Sequence, residues 1–120
     1  MHPLIEPALA DTDCHTVNKA WGVDDTPAWQ GHGTRMAGLP LYGDLVPVLA
    51  GNDPIMLKYR LESVRILPPT AASANNPELY GAITGEAIAR AEVQAPRRRR
   101  TVAMAVSTSR PVVYAYLPGV

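Results

Sequence analysis

Twelve prolines interrupt a chain of 120 residues. Each lacks an amide donor and fixes its own φ, and each pushes the preceding residue away from the helical region. Whatever this chain folds into must therefore be assembled from short pieces. Phenylalanine is absent, so those pieces must build a core from Leu, Ile, Val, Met and Ala. A chain of this length supports one domain at most, and is short for an α/β enzyme.

The pieces can be read in order. Residues 1–30 carry Pro3, Pro7 and Pro27 among many Asp, Asn and Thr residues, a composition that predicts irregular, turn-rich backbone. A loop that long inside a compact domain signals function or missing context. Thr34 to Leu39 is expected to be a short helix that Pro40 ends. Leu41 to Leu49, interrupted by Gly43 and Pro47, reads as a second helical piece or a loop. Leu61 to Leu67 reads as a strand, with Val64 and Ile66 on one face and Pro68-Pro69 as its stop. Thr70 to Asn76 is a loop of small and polar residues.

Pro77 to Ala95 carries the strongest helical pattern. Asn76 is a good N-cap, Pro77 suits the first helical position, and Glu78 complements the positive end of the helix dipole. Leu79, Ile83, Ala87 and Ala91 keep helical spacing, and Ala82 and Ile88 widen the stripe. Gly85 weakens the helix by about 1 kcal/mol relative to Ala, and Pro96 ends it. After four arginines, Thr101 to Val106 is an apolar run of the kind that forms a buried parallel strand. Helix, strand, helix, strand is the order of a parallel sheet with crossover helices. The tail from Ser107 to Val120 is ambiguous, although VVYAYL has strand character.

Several function classes fall away. Eleven basic residues balance eleven acidic ones, so no global field draws the chain to nucleic acid or to an anionic membrane. Arg97 to Arg100 is expected to be a solvated turn rather than a phosphate-binding patch. No stretch reaches the roughly 18 apolar residues of a spanning helix, and the first residues lack the form of a secretory signal. The lone Cys14 is expected to be a free, inert thiol, which fits a reducing compartment; a cytoplasmic location is expected. His2, His15 and His32 have no metal-ligand spacing, and no glycine-rich phosphate cradle occurs, so no metal and no cofactor are expected.

One stretch does point to chemistry. Residues 29–38 read WQGHGTRMAG, with His32 between Gly31 and Gly33. A general base needs one ring nitrogen free for the nucleophile and the other oriented by a carboxylate. Flanking glycines let backbone and substrate approach closely. A helix N-terminus disfavours the charged imidazolium and so keeps the ring neutral, as a base must be.

Gly31, His32, Gly33, Thr34, Met36, Ala37 and Gly38 resemble the histidine motif G-H-G-T-x-M-A-G of the subtilisin-like serine peptidases, the subtilases. The family's next strand, Leu-x-x-Val-Lys-Val-Leu, is similar to Leu61, Val64, Arg65, Ile66 and Leu67. The helix and buried strand that follow resemble Pro77 to Ala95 and Thr101 to Val106. His2-Pro3 resembles the His-Pro that follows the catalytic aspartate in many members. The resemblance covers roughly residues 2–108 and is sharpest at 31–38. It implies an α/β fold, a partial parallel sheet with crossover helices that is a fragment of the subtilisin-like three-layer fold. Residues 1–108 would be a partial peptidase domain and residues 109–120 a divergent tail.

The resemblance also implies endopeptidase cleavage of a peptide or protein substrate, with His32 as the general base. The family's triad runs Asp, His, Ser along the chain. Its Asp-Thr-Gly lies shortly before the His-Pro, and its Gly-Thr-Ser lies far downstream; neither occurs among these residues. Local stand-ins are poor. Asp11-Thr12 mimics Asp-Thr-Gly, but Asp13 replaces the glycine and no apolar strand precedes it. Asp24 and Asp25 are near in sequence; Ser107 and Ser109 lack the glycine–threonine elbow. The expectation is a fragment of a serine endopeptidase, inactive alone. The alternatives are a non-catalytic binding module or a pseudogene remnant.

Overall fold

A computed structural model describes residues 2–24, 31–70 and 75–104. Its elements are β1 (Cys14–Thr16), α1 (His32–Tyr42), α2 (Leu45–Ala50), β2 (Ser63–Arg65) and α3 (Tyr80–Gln94), joined by short 3-10 turns. β1 and β2 pair in parallel, with Cys14 opposite Ser63, His15 opposite Val64 and Thr16 opposite Arg65. The Val17 amide donates to the Arg65 carbonyl at 3.1 Å and carries the ladder one step further. Parallel neighbours need a long crossover, and here α1 and α2 lie within it. α3 packs against both strands. The architecture is thus α/β, a small parallel sheet with helical connections, as the order of elements implies.

Residues 2–24 are more ordered than their composition predicts. His2 starts a tight turn: its carbonyl accepts from the amides of Ile5 and Glu6 at 2.9 and 3.0 Å, and its Nδ1 accepts from the Leu4 amide at 3.2 Å. A 3-10 turn, Glu6–Ala8, follows with Pro7 inside it, where a missing amide costs nothing. Ile5 and Ala8 bury against Leu41 of α1, and Leu9, Ala37, Tyr42, Leu57 and Leu61 close around them. The Leu61 amide donates to the Ala8 carbonyl at 2.8 Å. Asp11–Asp13 forms a second turn that feeds β1, a strand that the Asp- and Thr-rich sequence hides.

Pro40 does not end α1, contrary to the expectation of a stop at Leu39; the helix runs on to Tyr42. Pro40 has no amide to donate to the Met36 carbonyl four residues back. Two contacts beyond the proline offset that loss. Leu41 is buried, and the Tyr42 hydroxyl donates to the Leu4 carbonyl at 2.5 Å. Gly43, at φ 67°, then turns the chain, and Asp44 caps α2 by accepting from the Val46 amide at 3.0 Å. The segment 41–49 is therefore the end of one helix and most of another.

Two strand expectations shrink. β2 is three residues long rather than seven, because its ladder extends only as far as β1 does. Thr101 to Met104 is not a buried strand: Val102 is 42% and Met104 47% exposed. An apolar run becomes a strand only where a neighbour accepts its hydrogen bonds, and among the described residues the only paired strands are β1 and β2. Residues 105–106, the rest of that expectation, lie outside the described residues, as does the tail.

α3 follows its pattern more closely. Asn76 caps as expected, its Oδ1 accepting from the Glu78 amide at 3.1 Å, but Pro77–Leu79 winds as a 3-10 turn before α3 begins. Ile83, Ala87, Ile88 and Ala91 form the inward stripe, while Leu79 and Ala82 are exposed.

Candidate active site

His32 opens α1. Gly31 is the residue before it, at φ 67° and ψ 21°, a left-handed conformation that L side chains rarely adopt. Its carbonyl accepts from the Arg35 amide at 3.0 Å, closing the first turn of the helix around the imidazole. His32 itself is half-buried, and its Nε2 is shielded from solvent and has no hydrogen-bond partner among the described residues. A buried ring nitrogen without a partner is uncommon and demands a reason. No described atom lies within 4 Å of where a Gly33 Cβ would stand. Gly38, by contrast, faces α2, where an added Cβ would meet Leu45 Cδ1 at an ordinary 3.6 Å.

None of the described carboxylates hydrogen-bonds this nitrogen. Asp11 is exposed in its turn. Asp24 is exposed as well, and its carbonyl takes a hydrogen bond from Arg65. Asp25, Ser107 and Ser109 lie outside the described residues.

Asp13 has another task. It is 2% exposed, and its Oδ1 accepts from Arg98 Nη1 at 2.8 Å. The same Nη1 also reaches Glu62 Oε1 at 2.8 Å, and Arg100 holds both oxygens of Glu62. Arg100 Nη2 donates to the Ala91 and Ala95 carbonyls at the end of α3. The arginine run is therefore not simply a solvated turn. Alternate members bind the residues just before β1 and β2 to the end of α3, while Arg97 and Arg99 stay exposed. The hydrogen bond from Arg100 holds the Glu62 carboxyl below its ordinary range; burial opposes this and the bond from Arg98 reinforces it. The contacts with Asp13 and Glu62 raise Arg98, and the contact with Glu62 raises Arg100.

Cys14 is a free, half-buried thiol whose Sγ donates to the Ala10 carbonyl at 3.6 Å. Burial first, then the charges of Asp11, Asp13 and Asp24, pushes its pKa up, which is the opposite of nucleophile activation. Cys14 and His15 line an open groove of about 480 Å³ between β1 and α3, and His32 is not part of it. His15 Nε2, like that of His32, is buried without a partner. Among the described residues no group of three or more His, Cys, Asp or Glu could hold a metal ion, and no helix is long and apolar enough to cross a membrane.

The site is thus an α/β scaffold that presents one glycine-flanked imidazole from the first turn of a crossover helix. The subtilase family model matches residues 1–115, and the chain belongs to that family. Its chemistry, at the level of the family, is that of a serine peptidase acting on protein substrates. No curated protein and no solved structure matches the chain.

Sequence reasoning missed the residues that brace this scaffold. Arg65 was visible as the charged member of an apolar strand. Its reach back to Trp21 and Asp24 was not, because a long side chain can bond carbonyls anywhere within its radius.

Proposed function

We propose that His32 is the general base of a serine endopeptidase. It takes the proton of the nucleophilic serine through Nε2 as that serine attacks the scissile carbonyl. It then returns the proton to the leaving amine. The observation that supports this reading is the Nε2 itself, buried at the start of α1 with no hydrogen-bond partner among the described residues, and so open to a nucleophile from another segment. Gly33 leaves the space beside the ring clear for that segment and for substrate.

In this reading the acid and the nucleophile are supplied from outside these 120 residues, and the polypeptide is inactive alone. The unpaired Cys14 favours a reducing compartment, the cytoplasm, which cell fractionation tests.

The function is tested with two proteins, the 120-residue polypeptide and the complete product of its gene. Each is treated with a fluorophosphonate, which labels only activated serines, and each is assayed on a protein substrate. Labelling of a serine in a Gly-Thr-Ser sequence and cleavage, both confined to the complete product, are expected. Cleavage by the 120-residue polypeptide, or a complete product with no reactive serine, overturns the proposal.

A further inference from the structure

The four arginines from 97 to 100 are of two kinds. Arg98 and Arg100 are bound. Arg98 Nη1 donates to Asp13 Oδ1 and Glu62 Oε1, and Arg100 holds both oxygens of Glu62 and the carbonyls of Ala91, Ala95 and Arg98. Their side chains are 48% and 16% exposed. Arg97 and Arg99 are exposed and make no hydrogen bond or ion pair with the described residues. The ionic cluster therefore accounts for two of the four and leaves two cations in solvent.

The backbone there suits one kind of partner. An endopeptidase binds its substrate as an extended strand through main-chain hydrogen bonds, so helices and paired strands must open before they are cut. One specific for arginine also draws the guanidinium before the scissile bond into an acidic pocket. Residues 98–104 are neither helix nor strand, and all but the half-buried Arg100 are exposed. Arg99 meets both demands. Arg97 is also free, but a turn and the end of α3 directly precede it. Arg98 and Arg100 must first leave their carboxylates.

The other described basic residues are worse placed. Lys19, Arg35, Arg65 and Arg90 lie in a 3-10 turn, α1, β2 and α3. Lys58 and Arg60 are exposed in irregular chain, but their neighbours Leu57 and Leu61 pack against the core, and the Leu61 amide is bonded to Ala8.

We propose that the arginine run is a processing site, cut at the Arg99–Arg100 bond by an endopeptidase with an acidic pocket for arginine, and that the cluster with Asp13 and Glu62 directs the cut to that bond. One water is consumed. The amide C–N bond breaks, the Arg99 carbonyl carbon becomes a carboxylate, and the Arg100 nitrogen leaves as an ammonium. The cut separates the sheet and α3 from the chain beyond them. The proposal does not depend on His32 being a base.

Trypsin at a limiting amount is the probe, applied to the 120-residue chain in wild type, Arg99→Gln and Glu62→Ala, with the earliest products mapped by mass spectrometry. The wild type is expected to yield 1–99 and 100–120 at least fivefold over the products of cuts after Arg97, Arg98 or Arg100. Glu62→Ala releases Arg100, and cutting after Arg100 is expected to rise at least tenfold relative to cutting after Arg99. Arg99→Gln breaks no contact and tests the same point should Glu62→Ala unfold; it is expected to slow the first cut at least fivefold. First cuts spread evenly along the run, or falling at Lys58 or Arg60, overturn the assignment. In protein isolated from the cells that make it, a chain terminus at Arg99 or Arg100 is expected, and a run found only uncut overturns the processing role.

Discussion

At the scale of single residues, the two glycines beside His32 do different work. Gly31 is at φ 67°, and a Cβ there is strained whatever space surrounds it. Gly31→Ala is therefore expected to destabilise the fold by about 1–2 kcal/mol, read as a lower urea midpoint. Gly33 has no such backbone demand and no described neighbour within 4 Å. Gly33→Ala is expected to leave the urea midpoint of the complete protein nearly unchanged while lowering kcat/KM, because the added methyl intrudes where substrate and nucleophile must come. If both variants lose stability equally, Gly33 is a fold residue and not a site residue. The histidine was legible in the sequence because its motif is local: the glycines, the threonine and the small residues lie within two turns of it. Arg65 and Asp13 were not, because their roles lie with partners 44 and 85 positions away.

At the scale of elements, α1 shows how tertiary contacts override a local rule. Pro40 should stop it, and the buried Leu41 and the Tyr42–Leu4 hydrogen bond carry it past. The proline still removes one helical hydrogen bond. Pro40→Ala restores that donor and is expected to stabilise the protein by roughly 1–3 kcal/mol, visible as a rise in Tm. A fall in Tm would mean that the rigidity of Pro40 in the unfolded chain outweighs the lost bond. α3 was the most legible element, since its cap and its stripe are both written locally. β1 was the least legible. A three-residue strand of Cys, His and Thr has no apolar alternation to read, and it exists because β2 pairs with it. The apolar run at 101–104 makes the converse point. Its composition suits a strand, but composition cannot supply a neighbour.

At the scale of the whole molecule, the sheet, α3 and the segment after it meet at one ionic cluster of Asp13, Glu62, Arg98 and Arg100. Glu62 is held below its ordinary value of 4.5 in the folded state. A depressed carboxyl adds stability that is fully present above its unfolded value and is lost as pH falls through its folded value. The contribution of Glu62 should therefore be flat from neutral pH down to about 5 and fade below that. Glu62→Gln is expected to lower stability at pH 7 and to make the pH dependence shallower in the acid range. A variant with the wild-type acid slope would show that the cluster does not sense the charge of Glu62.

The same scale holds the central claim, that the half-sheet and its crossover exist to present a base. The most direct measurement of that claim is kcat/KM for a peptide substrate with the complete gene product, in wild type and His32→Ala. A loss on the order of 10⁴-fold or more is expected, the magnitude known for Ser-His-Asp triads in general, with the urea midpoint little changed. A His32→Ala protein that folds normally and cleaves at more than a tenth of the wild-type rate would contradict it.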